Sequence, residues 1–172
     1  EKGGNLSLNS GVYAVYAPSS LLDGKVIRGA LSIASKKGVA AFSMIMPADW
    51  QLGGRIDGIA LQEKLRISLI GHWQDWARAM FALYLNADNS VNQKAWHGVA
   101  LSFLPTGAPI ASKVIVEHVG PGSALRETIE NSGVVTLDDD RLTPAIKASV
   151  MDLSNDKAAT LISSDALKAW RT

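Results

Sequence analysis

From residue 11 to about 119, hydrophobic positions alternate with small or polar ones in short runs, and each run stops at a turn signal. A period of two puts successive side chains on opposite faces of an extended chain, so the pattern predicts strands. Gly11–Ala17 is rich in β-branched and aromatic residues and ends at Pro18-Ser19-Ser20. Asp23-Gly24 turns the chain into Lys25–Ser35, and Lys37-Gly38 turns it into Val39–Met46, which Pro47 closes. Further strands are expected at Arg55–Gln62, Leu65–Ile70, Ala77–Leu85, Ala95–Leu104 and Ile110–Val119. Helical spacing competes only around Trp73 to Leu85, where Trp76, Met80, Leu83 and Tyr84 fall near one face. The flanking strand signals favour β.

The grammar changes after Gly120-Pro121-Gly122. Ala124–Asn131 spaces Leu125 and Ile129 four apart, with Gly133 as the expected C-terminal cap. Thr143-Pro144 reads as an N-cap followed by proline at the first helical position. Ser164 would cap a last short helix bearing Leu167 and Trp170. The expected architecture is mainly β: an antiparallel barrel or sandwich of about eight strands with two or three short C-terminal helices. The expected division is a flexible N-terminal segment over residues 1–10, the β-core over 11–119, and short helices packed on that core over 120–172.

The two faces of the strands differ. Arg28, Ala30, Ser32 and Ala34 oppose Gly29, Leu31 and Ile33; Trp96, Gly98, Ala100 and Ser102 oppose His97, Val99, Leu101 and Phe103. One side is large and aliphatic, the other small and mildly polar. In a sandwich the small side faces solvent. In a closed barrel small residues leave room for a ligand.

Composition narrows the function classes. Seventeen basic residues against sixteen acidic ones give a net charge of +1, and the basic residues are scattered, so direct nucleic-acid contact is not expected. There is no cysteine, which removes disulfides and thiolate metal sites and fits a reducing, cytoplasmic setting. No apolar run is long enough for a membrane-spanning helix. Histidines 72, 97 and 118 lack metal-ligand spacing, and no nucleophile elbow, phosphate loop or dinucleotide fingerprint is present. Neither metal nor cofactor is expected. Asp138-Asp139-Asp140 reads as a solvated loop ahead of a helix.

The aromatic residues offer the best chemistry. His72-Trp73 with Trp76 and Arg78, and the pair Trp96-His97, place rings beside cationic groups that hold a planar ligand and its polar edge. The expected ligand-binding residues are Tyr13, Tyr16 and Arg28 on the early strands, with Trp73, Trp76, Arg78, Trp96 and His97 later. The aromatics stack, and the arginines read anionic or carbonyl oxygens.

Gly11-Val-Tyr-Ala-Val-Tyr-Ala-Pro-Ser-Ser20 followed by Lys25-Val-Ile-Arg-Gly-Ala-Leu-Ser-Ile33 resembles the start of β-rich, lipocalin-like C-terminal sensor domains of bacterial helix-turn-helix regulators and signalling effectors. The resemblance covers about twenty residues closely and the rest only as pattern, and no family site transfers through it. It implies a non-catalytic regulatory domain of a larger bacterial protein that binds a small planar or anionic molecule in a barrel mouth, in some cases within a transcription regulator. The opening Glu1-Lys2-Gly3-Gly4, without methionine, fits a piece of a longer chain or a processed one. Two alternatives stand beside this reading. One is an oligomerisation or protein-interaction domain; the other is a small hydrolase or isomerase using His97 or His72 as a barrel-mouth base.

Overall fold

The computed structural model describes residues 10–19, 24–36, 39–50, 53–63, 66–75, 79–86, 95–103 and 109–155. The alternating runs form eight strands: β1 (Gly11–Pro18), β2 (Lys25–Lys36), β3 (Val39–Met46), β4 (Gly54–Glu63), β5 (Arg66–Trp73), β6 (Met80–Asn86), β7 (Ala95–Phe103) and β8 (Pro109–Gly120). Each pairs antiparallel with the next, and β8 returns to β1, so the meander closes into a barrel. Closure settles barrel against sandwich. It also pairs the barrel strands on both sides, which removes the reactive edges an open sheet presents.

The interior is built from alternate residues. Tyr13, Val15, Leu31, Phe42, Met44, Ile56, Leu69, Leu83 and Val116 form one buried cluster. Tight coiling of the wall depends on glycine at the middle of β4 and β5. Gly58 pairs with Gly71, and a Cβ on either would meet backbone atoms of the other strand at 2.2–2.4 Å. The space these glycines leave is filled from both sides by Phe42 and Phe81, whose ring centroids lie 6.5 Å apart.

The two-faced pattern resolves differently in different strands, which corrects the expectation of one aliphatic and one small side. In β2 the large residues Leu31 and Ile33 point inward and are buried. In β7 the order is reversed: Gly98, Ala100 and Ser102 share the inward parity with Trp96, while Val99, Leu101 and Phe103 stand outward, 36–41% exposed. The physical reason is volume. Phe81, Leu83 and Leu85 of neighbouring β6 already fill that side of the core, and a Cβ on Gly98 would meet the Tyr84 carbonyl oxygen at 2.1 Å and Leu85 Cδ2 at 2.7 Å.

The C-terminal part covers the outer face of β1, β2 and β8. A single 3-10 turn (Gly122–Ala124) leads into α1 (Leu125–Glu130), then β9 (Gly133–Thr136), then α2 (Pro144–Asn155). β9 is a strand the sequence reading did not contain; Gly133, expected as a helix cap, instead opens it. It pairs with Lys25–Arg28 of β2, beyond the point where β3 leaves that strand. Val135, Leu142, Ile146 and Val150 then pack on Ala14, Tyr16, Val26 and Ile115. The expected N-cap forms, with the Ile146 N–H donating to Thr143 Oγ1 at 3.3 Å. Asp139 binds Arg141 at 2.8 Å, which holds its carboxyl down to about pKa 2, and Lys147 Nζ donates to the Asp138 carbonyl. The helix expected after Ser164 and the segment before Ser10 lie outside the described residues. Among those residues no helix is long and apolar enough to cross a membrane.

Candidate functional site

One end of the barrel holds a cavity. The turn that follows Pro47 carries Trp50 over the opening, fixed by the Trp50 N–H on the Pro47 carbonyl (3.2 Å) and the Gly53 N–H on the Trp50 carbonyl (2.7 Å). Only glycine fits at 53, where a Cβ would sit 2.4 Å from the Pro47 carbonyl oxygen. Beneath Trp50 lies a space of about 60 Å³ walled by Met44, Met46, Trp73, Phe81 and Leu83 on one side and by Ala17, Ala100, Ser102 and Ser112 on the other. The void exists because β7 and β8 place small residues opposite large ones.

Two polar features mark this cavity. Trp73 Nε1 donates to Ser102 Oγ at 2.9 Å, a bond that ties β5 to β7 across β6. Trp50 Nε1 is buried and has no hydrogen-bond partner. A buried indole N–H without an acceptor carries a desolvation penalty of about 1–3 kcal/mol, and an acceptor brought into the cavity would relieve it. Among the described residues no charged side chain lines the space.

The turn is also linked to the C-terminal elements. Asp49, next to Trp50, accepts from the Val134 N–H of β9 at 3.0 Å. A shift of Trp50 therefore bears directly on the strand that leads to α2.

The residues expected to bind ligand fall in separate places. Trp73 lines the cavity. Tyr13 and Trp96 face inward at the opposite end, where their rings lie 5.2 Å apart and the His118 ring lies 5.0 Å from Tyr13; burial raises the Tyr13 pKa above its ordinary value. These rings plug the far end of the barrel. Tyr16 and Arg28 point outward beneath α1. The Tyr16 hydroxyl donates to Glu117 at 3.0 Å, Arg28 lies 5.7 Å from the Tyr16 ring centroid, and Arg28 Nη1 reaches the Thr128 carbonyl at 3.4 Å. Burial raises the Tyr16 pKa, with Arg28 opposing it. This cluster anchors α1 to the barrel.

His97 stands on the outer wall opposite Asn86, and His72 also points outward, 3.3 Å from Gln74. Neither histidine faces the barrel mouth, so the acid–base alternative loses the geometry it needs. Among the described residues no three potential ligands gather around a metal position. Trp76 and Arg78 lie outside the described residues.

Trp50, Ser102 and Ser112 were missed from the sequence. Trp50 sits in a turn with no strand pattern around it. Ser102 was seen only as part of a small face whose inward direction depends on closure, and Ser112 was not singled out at all. No protein family matches the sequence, and neither does any curated protein.

Proposed function

We propose that this is a non-catalytic ligand-sensing domain that takes a small, neutral, largely apolar molecule under Trp50. The observation that carries the reading is the buried, unpartnered Trp50 Nε1 over a cavity that no charged side chain lines among the described residues. Convergent apolar walls with one placed polar group are the ordinary make-up of a small-molecule site. Arg28 and His97 face away from the cavity, which favours a neutral ligand over an anionic one. The Asp49–Val134 link supplies a route by which occupancy alters β9 and α2, as a regulatory domain within a larger bacterial, cytoplasmic protein requires.

The test is titration with propanol followed at the Trp50 indole N–H by NMR, with Ala100→Leu as the blocking variant because its side chain grows into the void. Binding to the native chain that is lost in a folded Ala100→Leu protein supports the site. No binding of the alcohol, or binding indifferent to Ala100→Leu, refutes it.

A second reading, a protein-interaction domain, is favoured by Ile59, Leu61, Tyr84 and Val99, which stand 36–52% or so exposed on the outer wall of β4, β6 and β7. Sedimentation at high concentration tests it, and a strictly monomeric profile counts against self-association.

A further inference from the structure

The interior cavity abuts a second apolar space on the outer side of the barrel wall. The ladder between β6 and β7 runs from Ala82–Leu101 to Asn86–His97, so Met80-Phe81 and Ser102-Phe103 extend past its last rung. Outside this parting lies an apolar groove of about 450 Å³ formed by Met80, Ala82, Leu101, Phe103, Pro109 and Ala111. Phe81, Ser102 and Ile110 line both the groove and the interior cavity. One layer of side chains therefore separates the two spaces, and among the described residues neither carries a charged one.

Volume decides what spans them. The interior space of about 60 Å³ has room for about two small groups of water or methylene size. Together with the groove, the site enters the range of several hundred Å³ that small-molecule ligands occupy. Met80 at 58% exposure, Leu101 at 40% and Phe103 at 41% form an apolar strip leading away from the parting. A flat polycyclic molecule does not pass between two strands, whereas an unbranched chain does.

We infer that the ligand class is a neutral amphiphile with an unbranched hydrocarbon chain, its polar end accepting from Trp50 Nε1 and its chain leaving the barrel between β6 and β7 to lie along Leu101 and Phe103. This rests on the interior-site reading above and adds the chain, its length and its path. Chain atoms that reach the groove are taken out of water at about fourfold in affinity per methylene, so affinity rises with length beyond what the interior alone holds.

The experiment compares propanol and decanol, followed at the Trp50 indole N–H by NMR, on the native chain, on Ala100→Leu, and on the double variant Leu101→Thr with Phe103→Thr. Both threonines replace solvent-facing residues and suit a strand, so the barrel is retained. Decanol is expected to bind native protein at least about tenfold tighter than propanol, the double variant to bring decanol down towards the propanol value while leaving propanol unchanged, and Ala100→Leu to abolish both. Equal affinity for the two alcohols, or a decanol preference that survives the double variant, overturns the chain path and leaves the interior site standing. Decanol binding that survives Ala100→Leu but not the double variant overturns it as well, because the groove then acts alone. Dimerisation of the native chain that the double variant abolishes assigns the groove to a second copy and also overturns it. If neither alcohol binds, the interior-site reading fails and this inference fails with it.

Discussion

The bond from Trp73 Nε1 to Ser102 Oγ joins strands that are not neighbours, and its removal should separate stability from binding. In Trp73→Phe the ring stays aromatic but loses the donor and part of its volume. The lost hydrogen bond costs about 1 kcal/mol, and the space left in a core that relaxes only in part adds about 1–2 kcal/mol. The total of about 2–3 kcal/mol corresponds to a fall in Tm of about 5–10 °C for a chain of this size. Ser102→Ala takes away the acceptor and costs about 1–2 kcal/mol. The double variant removes both partners, so its loss should be about 1 kcal/mol smaller than the two single losses added together. Urea unfolding of the four proteins measures the cycle. Binding runs the other way: Trp73→Phe enlarges the cavity beneath Trp50 and should tighten the propanol complex, while Ser102→Ala leaves it nearly unchanged. Additive losses within about 0.3 kcal/mol, or a Trp73→Phe variant that binds propanol more weakly, would refute the account of this bond as a cross-strand tie beside a ligand space.

Three further outcomes follow from the same geometry. Gly98→Ala drives a Cβ against the Tyr84 carbonyl at 2.1 Å and should cost about 3 kcal/mol, whereas Gly120→Ala, with its nearest atom 3.7 Å away, should stay within about 0.5 kcal/mol; chemical denaturation distinguishes them. Asp49→Ala removes the acceptor of the Val134 N–H, so hydrogen exchange at Val134 should accelerate about tenfold or more, and unchanged protection would deny that the Trp50 turn is held to β9. Arg141 holds the Asp139 carboxyl down to about 2, below the ordinary value of about 3.9. The contribution of this exposed pair is present above the ordinary value and is lost as pH falls towards 2. The Tm difference between native protein and Asp139→Asn should therefore shrink over that acid window and not between pH 5 and 8.

The barrel strands were legible because each carries a period-two pattern bounded by Gly, Pro or Asp turns; Val39–Met46 was read with the bounds the structure gives it. Closure was not legible, because strand order depends on β8 meeting β1, a contact between residues about a hundred positions apart. β9 escaped because four residues after a short helix look like a capped helix end until β2 is present to pair with them. The site was half legible for the same reason. Trp73 and Trp96 could be read as inward aromatics, but only closure puts them at opposite ends. Tyr16 and Arg28 share the early strands with Tyr13, yet parity turns them outward beneath α1.

β7 connects the cavity and the groove to one cause. A slip of one residue in this strand would exchange its faces, sending Val99, Leu101 and Phe103 inward and Gly98, Ala100 and Ser102 outward. Burying three large side chains stabilises a fold by about 1.5–3 kcal/mol each where there is room for them. There is none here, because Phe81, Leu83 and Leu85 occupy the adjoining interior, and the Gly98 position lies so close to the Tyr84 carbonyl that a larger residue does not fit. The observed register leaves a void inside and apolar side chains outside in the same stretch of wall. Those are two costs to stability alone, and a sequence shaped only for stability would relieve them with a larger residue at Ala100 and a polar one at Leu101. Their joint retention beside an unpartnered Trp50 N–H is what a path for an apolar ligand through the wall requires.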